Sequence, residues 1–108
     1  MRTLGKLSLV ASLVALSAVA VAAGTIRDVT QSGRVFSQTD ITIKAGDGLR
    51  ISNEDPVTHS LFARTAEYDI HETQAPGAES TLQFDKPGVV ELRCAIHPQM
   101  VLKVTVTE

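Results

Sequence analysis

Two textures divide the chain. From Leu7 to Val21 the residues are apolar, broken only by serines, behind a basic start of Arg2 and Lys6 and ahead of Ala22-Ala23. From Ile26 onward, short runs alternate apolar and polar residues with a period of two, separated by turn residues. Ile26 to Gln31 and Arg34 to Ser37 flank Ser32-Gly33 and predict a hairpin. Ile41 and Ile43 alternate with Thr42 and Lys44, and Ala45-Gly46-Asp47-Gly48 then turns the chain toward Leu49-Arg50-Ile51-Ser52, predicting a second hairpin. No helical period follows these glycines, so they read as a turn and not as a phosphate cradle.

Asn53-Glu54-Asp55-Pro56 predicts a loop, because proline restricts its predecessor and cannot donate to a sheet. A short strand resumes at His59-Ser60-Leu61-Phe62-Ala63. Between Arg64 and Glu79 no period emerges; the expectation there is a long connection with room for one short helical turn, in which Glu67, Asp69 and Glu72 are solvated acids. Thr81-Leu82-Gln83-Phe84 alternates again, and Lys86-Pro87-Gly88 leads into a strand whose Val90, Leu92 and Cys94 share one face. Leu102, Val104 and Val106 mark a final strand. Many short strands without an amphipathic helix predict an all-β single domain, an antiparallel sandwich or small barrel.

The first texture is the three-part pattern of a secretory signal peptide, which divides the chain into a leader over 1–23, cleaved after Ala22 or Ala23, and a domain over 24–108. The apolar run is short against the roughly 20 residues of a membrane span, so the membrane enters only if the leader stays uncleaved. The expected location is periplasmic or secreted. Loss of Arg2 and Lys6 leaves eight basic residues against twelve acidic ones, moving the formal net charge from −2 to −4. That balance excludes a nucleic-acid partner, which needs a basic face.

Export sharpens the chemistry of Cys94, the only cysteine in the chain. A lone thiol in an oxidising compartment cannot close an intramolecular disulfide and is a liability unless something occupies it. In Cys94-Ala95-Ile96-His97-Pro98-Gln99-Met100 a thiol, an imidazole and a thioether fall within one short loop, the donors that soft transition metals prefer. The three-residue spacing lets one turn bring Cys94 and His97 to a single ion, with Met100 as a weaker axial ligand. A further ligand must come from elsewhere, and the remaining histidines are His59 and His71. His59 begins a strand after a proline-containing loop, at the same end of a sandwich where a strand ends in Cys94; it is the better choice. His71 lies in the unpatterned connection and reads as a solvated loop histidine.

With these residues in place, the chain from about Phe36 to Val106 resembles the cupredoxins, the small blue copper proteins. The resemblance rests on an ordered set: Lys44-Ala45-Gly46-Asp47, Asn53 six residues before His59, Lys86-Pro87-Gly88, and a Cys94–Met100 loop similar to that of amicyanins in its two intervals of two residues. The chain departs from the family in Ser60 where asparagine is usual, in Val89 and Val90 where an aromatic is common, and in its scarcity of aromatics. The resemblance implies a Greek-key β-sandwich of about seven to eight strands. It also implies one type 1 copper ion held by His59, Cys94 and His97 with Met100 at long axial distance, and Asn53 bracing the two ligand loops. Ile96 and Pro98 beside His97 would form an apolar docking patch.

The function so implied is single-electron transfer between redox protein partners, a cytochrome or an oxidoreductase among them, by a monomer that performs no chemical transformation itself. The rival reading is copper delivery with the same ligands but an exchangeable ion. A cysteine-nucleophile enzyme lacks an acid to orient its base and leaves Met100 idle. A structural zinc site suits the other donors, but a thioether is an unusual zinc ligand.

Overall fold

A computed structural model describes residues 24–108; the leader expected over 1–23 lies outside them. Nine strands form two sheets: β1 (Ile26–Ser32), β2 (Val35–Phe36), β3 (Asp40–Lys44), β4 (Asp47–Asn53), β5 (His59–Arg64), β6 (Asp69–Gln74), β7 (Glu79–Phe84), β8 (Gly88–Cys94) and β9 (Val101–Thr107). One sheet runs β2-β1-β4-β7 and the other β3-β9-β8-β5-β6. No helix is present among the described residues. The two sheets face each other as a sandwich, and the alternation read from the sequence is its cause. Val90, Leu92 and Cys94 of β8 and Leu102, Val104 and Val106 of β9 point into the core, while the residues between them point outward. Val29, Leu49, Ile51, Leu82 and Phe84 supply the opposite wall.

The first hairpin forms as expected, with Ser32 paired to Val35 across Gly33 and Arg34. Both central residues have positive φ, 66° and 59°, which is the turn whose twist matches a two-residue β-hairpin. Glycine adopts that conformation freely, whereas Arg34 is strained in it and has to be held.

The second predicted hairpin does not exist. β3 pairs in parallel with β9, and β4 pairs in parallel with β1 and antiparallel with β7, so the chain changes sheets at Ala45-Gly46. The amides of this corner explain why: Ala45 N–H donates to Thr107 O (2.7 Å) and Gly46 N–H to Phe84 O (2.8 Å), one bond to the end of each sheet. Adjacent alternating runs with a glycine turn look alike whether they pair or cross over. The connection expected over Arg64 to Glu79 also needs correcting, because β6 occupies its centre and no helical turn occurs. As an edge strand exposed over most of its length, with Ile70 its only aliphatic residue, β6 carries no apolar alternation to read.

Asp47 anchors the corner. Its carboxylate accepts the N–H of Lys44 and of Thr25, each at 2.9 Å. The Lys44 amide first, then that of Thr25, hold its carboxyl below the usual range against the opposing effect of burial. A lowered folded value means that the stabilisation is complete above the unfolded carboxyl range and is lost as pH falls through the folded value. Asp47→Asn is therefore expected to destabilise the metal-free protein at pH 7, with the difference from wild type shrinking below about pH 3.9. Urea unfolding at a series of pH values measures it; a gap that stays constant with pH excludes a charged role for Asp47.

Candidate metal centre

β5 and β8 pair antiparallel with Leu61 opposite Cys94 and Phe62 opposite Arg93. That register puts the start of β5 and the end of β8 at one pole of the sandwich. Both terminal side chains point inward, leaving His59 0% and Cys94 1% exposed. Beyond Cys94 the chain is pinned to β5 by Ala95 N–H donating to Ser60 O (2.8 Å). It then turns over His97-Pro98-Gln99-Met100, where Met100 N–H donates to His97 O (2.9 Å). Proline at the second position of this turn has its φ preset for it. The result is a partly exposed His97 folded back over a buried thiol, with Met100 buried at the end of the loop.

Three of the residues singled out in the sequence thus converge. The Nδ1 atoms of His59 and His97 are 3.2 Å apart, and Cys94 Sγ lies 3.6 Å from the first and 3.7 Å from the second. The two rings meet edge to face, their centroids 5.0 Å apart. An ion with nitrogens at about 2.0 Å and sulfur at about 2.3 Å in a trigonal plane separates its donors by roughly 3.5–3.7 Å, so the observed triangle fits one ion with little adjustment. Its chemistry fits as well: two ring nitrogens and a sulfur that face one another are jointly satisfied by a cation at their centre. His71 is not part of this group. It sits on β6, opposite Phe62, and its Nε2 lies 3.3 Å from Ser60 Oγ.

The orientation of His59 comes from a residue that the sequence reading passed over. Asp55 Oδ2 lies 2.7 Å from His59 Nε2, and both side chains are buried. The same carboxylate accepts the N–H of Gly33 at Oδ1 and of Arg34 at Oδ2, the two central residues of the β1–β2 turn, and so holds the strained Arg34 in place. Burial alone raises the carboxyl value. The bond to His59 and the two amides outweigh it, so Asp55 is held below the usual carboxylate range and is ionised at neutral pH. An ionised carboxylate only accepts, so His59 Nε2 carries the proton and donates it, and the Nδ1 lone pair faces the thiol. Carboxylate support of a ligating imidazole is a recurring feature of metal sites. The sequence signal was an acid in the loop before His59, but Glu54 and Asp55 both offered it, and nothing in the pattern distinguished them.

Asn53 has a narrower role than the resemblance implied. Its Nδ2 donates to Val57 O (2.8 Å) and Gln74 O (3.1 Å), and its Oδ1 accepts from Asp55 N–H (2.9 Å). These bonds tie the His59 loop to the end of β6 and none reaches the Cys94 loop. That loop is tied instead by Ser60, whose N–H donates to Cys94 Sγ at 3.4 Å. Ile96, 53% exposed, and the exposed Pro98 flank His97 at the surface.

No protein-family model matches the sequence, and neither does any curated protein. Solved structures do. An amicyanin variant in its reduced state superposes with a TM-score of 0.69 at 22% identity over 80% of this chain and 85% of its own. A purple cupredoxin from Nitrosopumilus maritimus gives 0.63 at 19% identity, over 74% of this chain and 98% of its own. The chain has the cupredoxin fold. A copper-containing nitrite reductase from Thermus scotoductus shares it at TM-score 0.66 and 22% identity, over 75% of this chain but only 22% of its own. In the cupredoxin fold as this chain builds it, the donor triangle occupies the pole where the β5 start and the β8 end meet.

Asp55→Ala is expected to weaken binding of a divalent metal about 10–100-fold while leaving the three donors in place. Competition titration of zinc against a chromogenic chelator measures this, and an unchanged affinity shows that the carboxylate does not orient His59.

Proposed function

We propose that the protein is a small copper-binding electron carrier. His59 and His97 through Nδ1 and Cys94 through Sγ would hold one ion, with the buried thioether of Met100 as a further, weaker donor. The observation that carries this reading is the His59, Cys94 and His97 triangle, all of whose ligand atoms lie within 4.8 Å of one another. Two imidazoles, a thiolate and a weak axial thioether form the donor set of blue-copper electron transfer. Copper in such a set supplies a single electron acceptor and donor whose surroundings suit both oxidation states.

The protein's own residues supply rigidity and insulation. Asp55 fixes the His59 ring and the Ser60 amide fixes the thiol, so neither has to move when the charge of the ion changes. His59, Cys94 and Met100 are buried, which keeps water and small reactants from the ion. His97 alone reaches the surface, between Ile96 and Pro98, and is the route by which electrons would pass to docked redox protein partners, a cytochrome or an oxidoreductase. A set of ligands closed in this way leaves no position for a substrate, so the domain itself carries out no chemical transformation. The leader over 1–23 supports an exported, periplasmic or secreted carrier. Similarity to amicyanin in loop and fold does not specify the pathway served.

Addition of Cu(II) to the mature protein is expected to produce an intense visible thiolate-to-copper band, abolished by Cys94→Ser. A colourless adduct, or equal preference for zinc, argues for a structural metal site. Rapid loss of copper to a mild chelator, without reversible redox cycling, argues for delivery. Met100→Leu is expected to retain copper and raise the reduction potential; a potential unchanged within error in direct voltammetry removes the axial role.

A further inference from the structure

His71 stands outside the donor triangle yet is joined to it through a single residue. β5 presents Ser60, Phe62 and Arg64 on the outer face of the five-stranded sheet, and β6 presents Asp69, His71 and Thr73 beside them. Ser60 touches both sides of this arrangement: its backbone N–H donates to Cys94 Sγ at 3.4 Å, and its Oγ lies 3.3 Å from His71 Nε2. His71 itself is exposed on an edge strand, in a hollow it shares with Phe62, Arg64, Asp69, Ile70 and Ala95. Solvent protons therefore have direct access to a ring two contacts from the thiolate.

We propose that His71, acting through Ser60, couples the electron affinity of the metal centre to pH. The inference rests on the electron-carrier reading above and adds to it a tuning residue that touches no ligand. A neutral His71 with its proton on Nδ1 accepts the Ser60 hydroxyl at Nε2. Once protonated, Nε2 becomes a donor, the hydroxyl must turn to accept, and a full positive charge stands on the outer side of Ser60. The oxidised centre carries one more positive charge than the reduced one, so protonated His71 disfavours it and raises the potential. Conversely, when a one-electron donor reduces the centre, His71 gains affinity for a proton taken from water. Reciprocity requires both effects to have the same magnitude.

The other charges around His71 come from each neighbouring element. β5 contributes Arg64, 3.8 Å from Asp69 of β6. β8, beyond Phe62, contributes Glu91 and Arg93, paired at 2.6 Å. Glu72 adjoins His71 on β6, and the loop beyond β8 brings uncharged Ala95 into the hollow. Of the side-chain types on this face, only histidine ordinarily changes charge between pH 5 and 8, which is why the proposal is placed on His71.

The test compares the copper-loaded wild type with His71→Gln and Ser60→Ala by voltammetry from pH 5 to 8. Any contribution of the ligand residues themselves is common to all three, so their difference isolates His71. The wild-type potential should fall as pH rises, most of that fall should vanish in His71→Gln, and it should shrink in Ser60→Ala, whose freed ring turns to solvent. A second readout needs no redox cycling: by NMR, His71 should titrate at lower pH in the Zn(II)-loaded protein than in the Cu(I)-loaded one. Equal pH slopes in wild type and His71→Gln, or equal His71 midpoints with the two ions, overturn the proposal while leaving the blue band intact. Absence of the band refutes the electron-carrier reading and takes this inference with it.

Discussion

The short antiparallel contact between β5 and β8 is the constraint from which the site follows. Leu61 opposite Cys94 is a register statement, and a slip of one residue would turn His59 and Cys94 to opposite faces. The core enforces the register. Leu61, Leu92 and Leu102 are all fully buried, and reversing the face of any one of their strands would send its aliphatic side chains into water. At roughly 1.5–3 kcal/mol for each large aliphatic side chain, the apolar alternation gives the thiol and the imidazole their common address.

Holding two polar groups at that address is a separate problem, since buried polar atoms are costly unless paired. The fold solves it with bonds that also join the sheets. Asp55 links the β1–β2 turn of one sheet to His59 of the other. Gln31 of β1 donates to Gln74 of β6 at 2.6 Å, and Gln74 donates in turn to Ile51 O and Ser80 Oγ. Asn53 binds the intervening loop to the end of β6. The pole of the sandwich is therefore clasped by side-chain amides and a carboxylate where the remainder is closed by aliphatic packing. Directional bonds fix ring orientation, which apolar contact cannot do.

How much of this could be read from the sequence depends on whether the information is local. Strands with one buried face declare themselves, and β1, β5, β7, β8 and β9 were legible for that reason. β6 was not, because an exposed edge strand has no apolar stripe. The β3–β4 crossover was not, because strand pairing is decided by distant residues such as Thr107 and Phe84 that capture the corner amides. The clustering of His59 with Cys94 and His97 was legible because a thiol with no second cysteine to pair with calls for an occupant and strand ends demand a pole. Asp55 was not singled out, and Ser60 was noted only as a departure from the family pattern, since an acid and a serine near a histidine are too common in sequence to disclose their contacts without coordinates.

The burial gradient across the centre bears on electron carriage against the rival of copper delivery. A delivery protein must expose its ligands in turn so that an acceptor can replace them one by one. Here Cys94 and His59 are sealed by the core and by hydrogen bonds that act on the donor groups themselves. The Cys94–Met100 loop, which carries the remaining donor, is pinned at Ala95 and closed by the His97–Met100 turn. Release of an ion would require opening the β5–β8 contact or the Asp55 clasp, both of which are parts of the fold and not of a mobile flap. An electron faces no such barrier, because it needs only the partly exposed His97 ring and a rigid path behind it. For the proposed copper carrier, this architecture suits passage of charge better than passage of the ion.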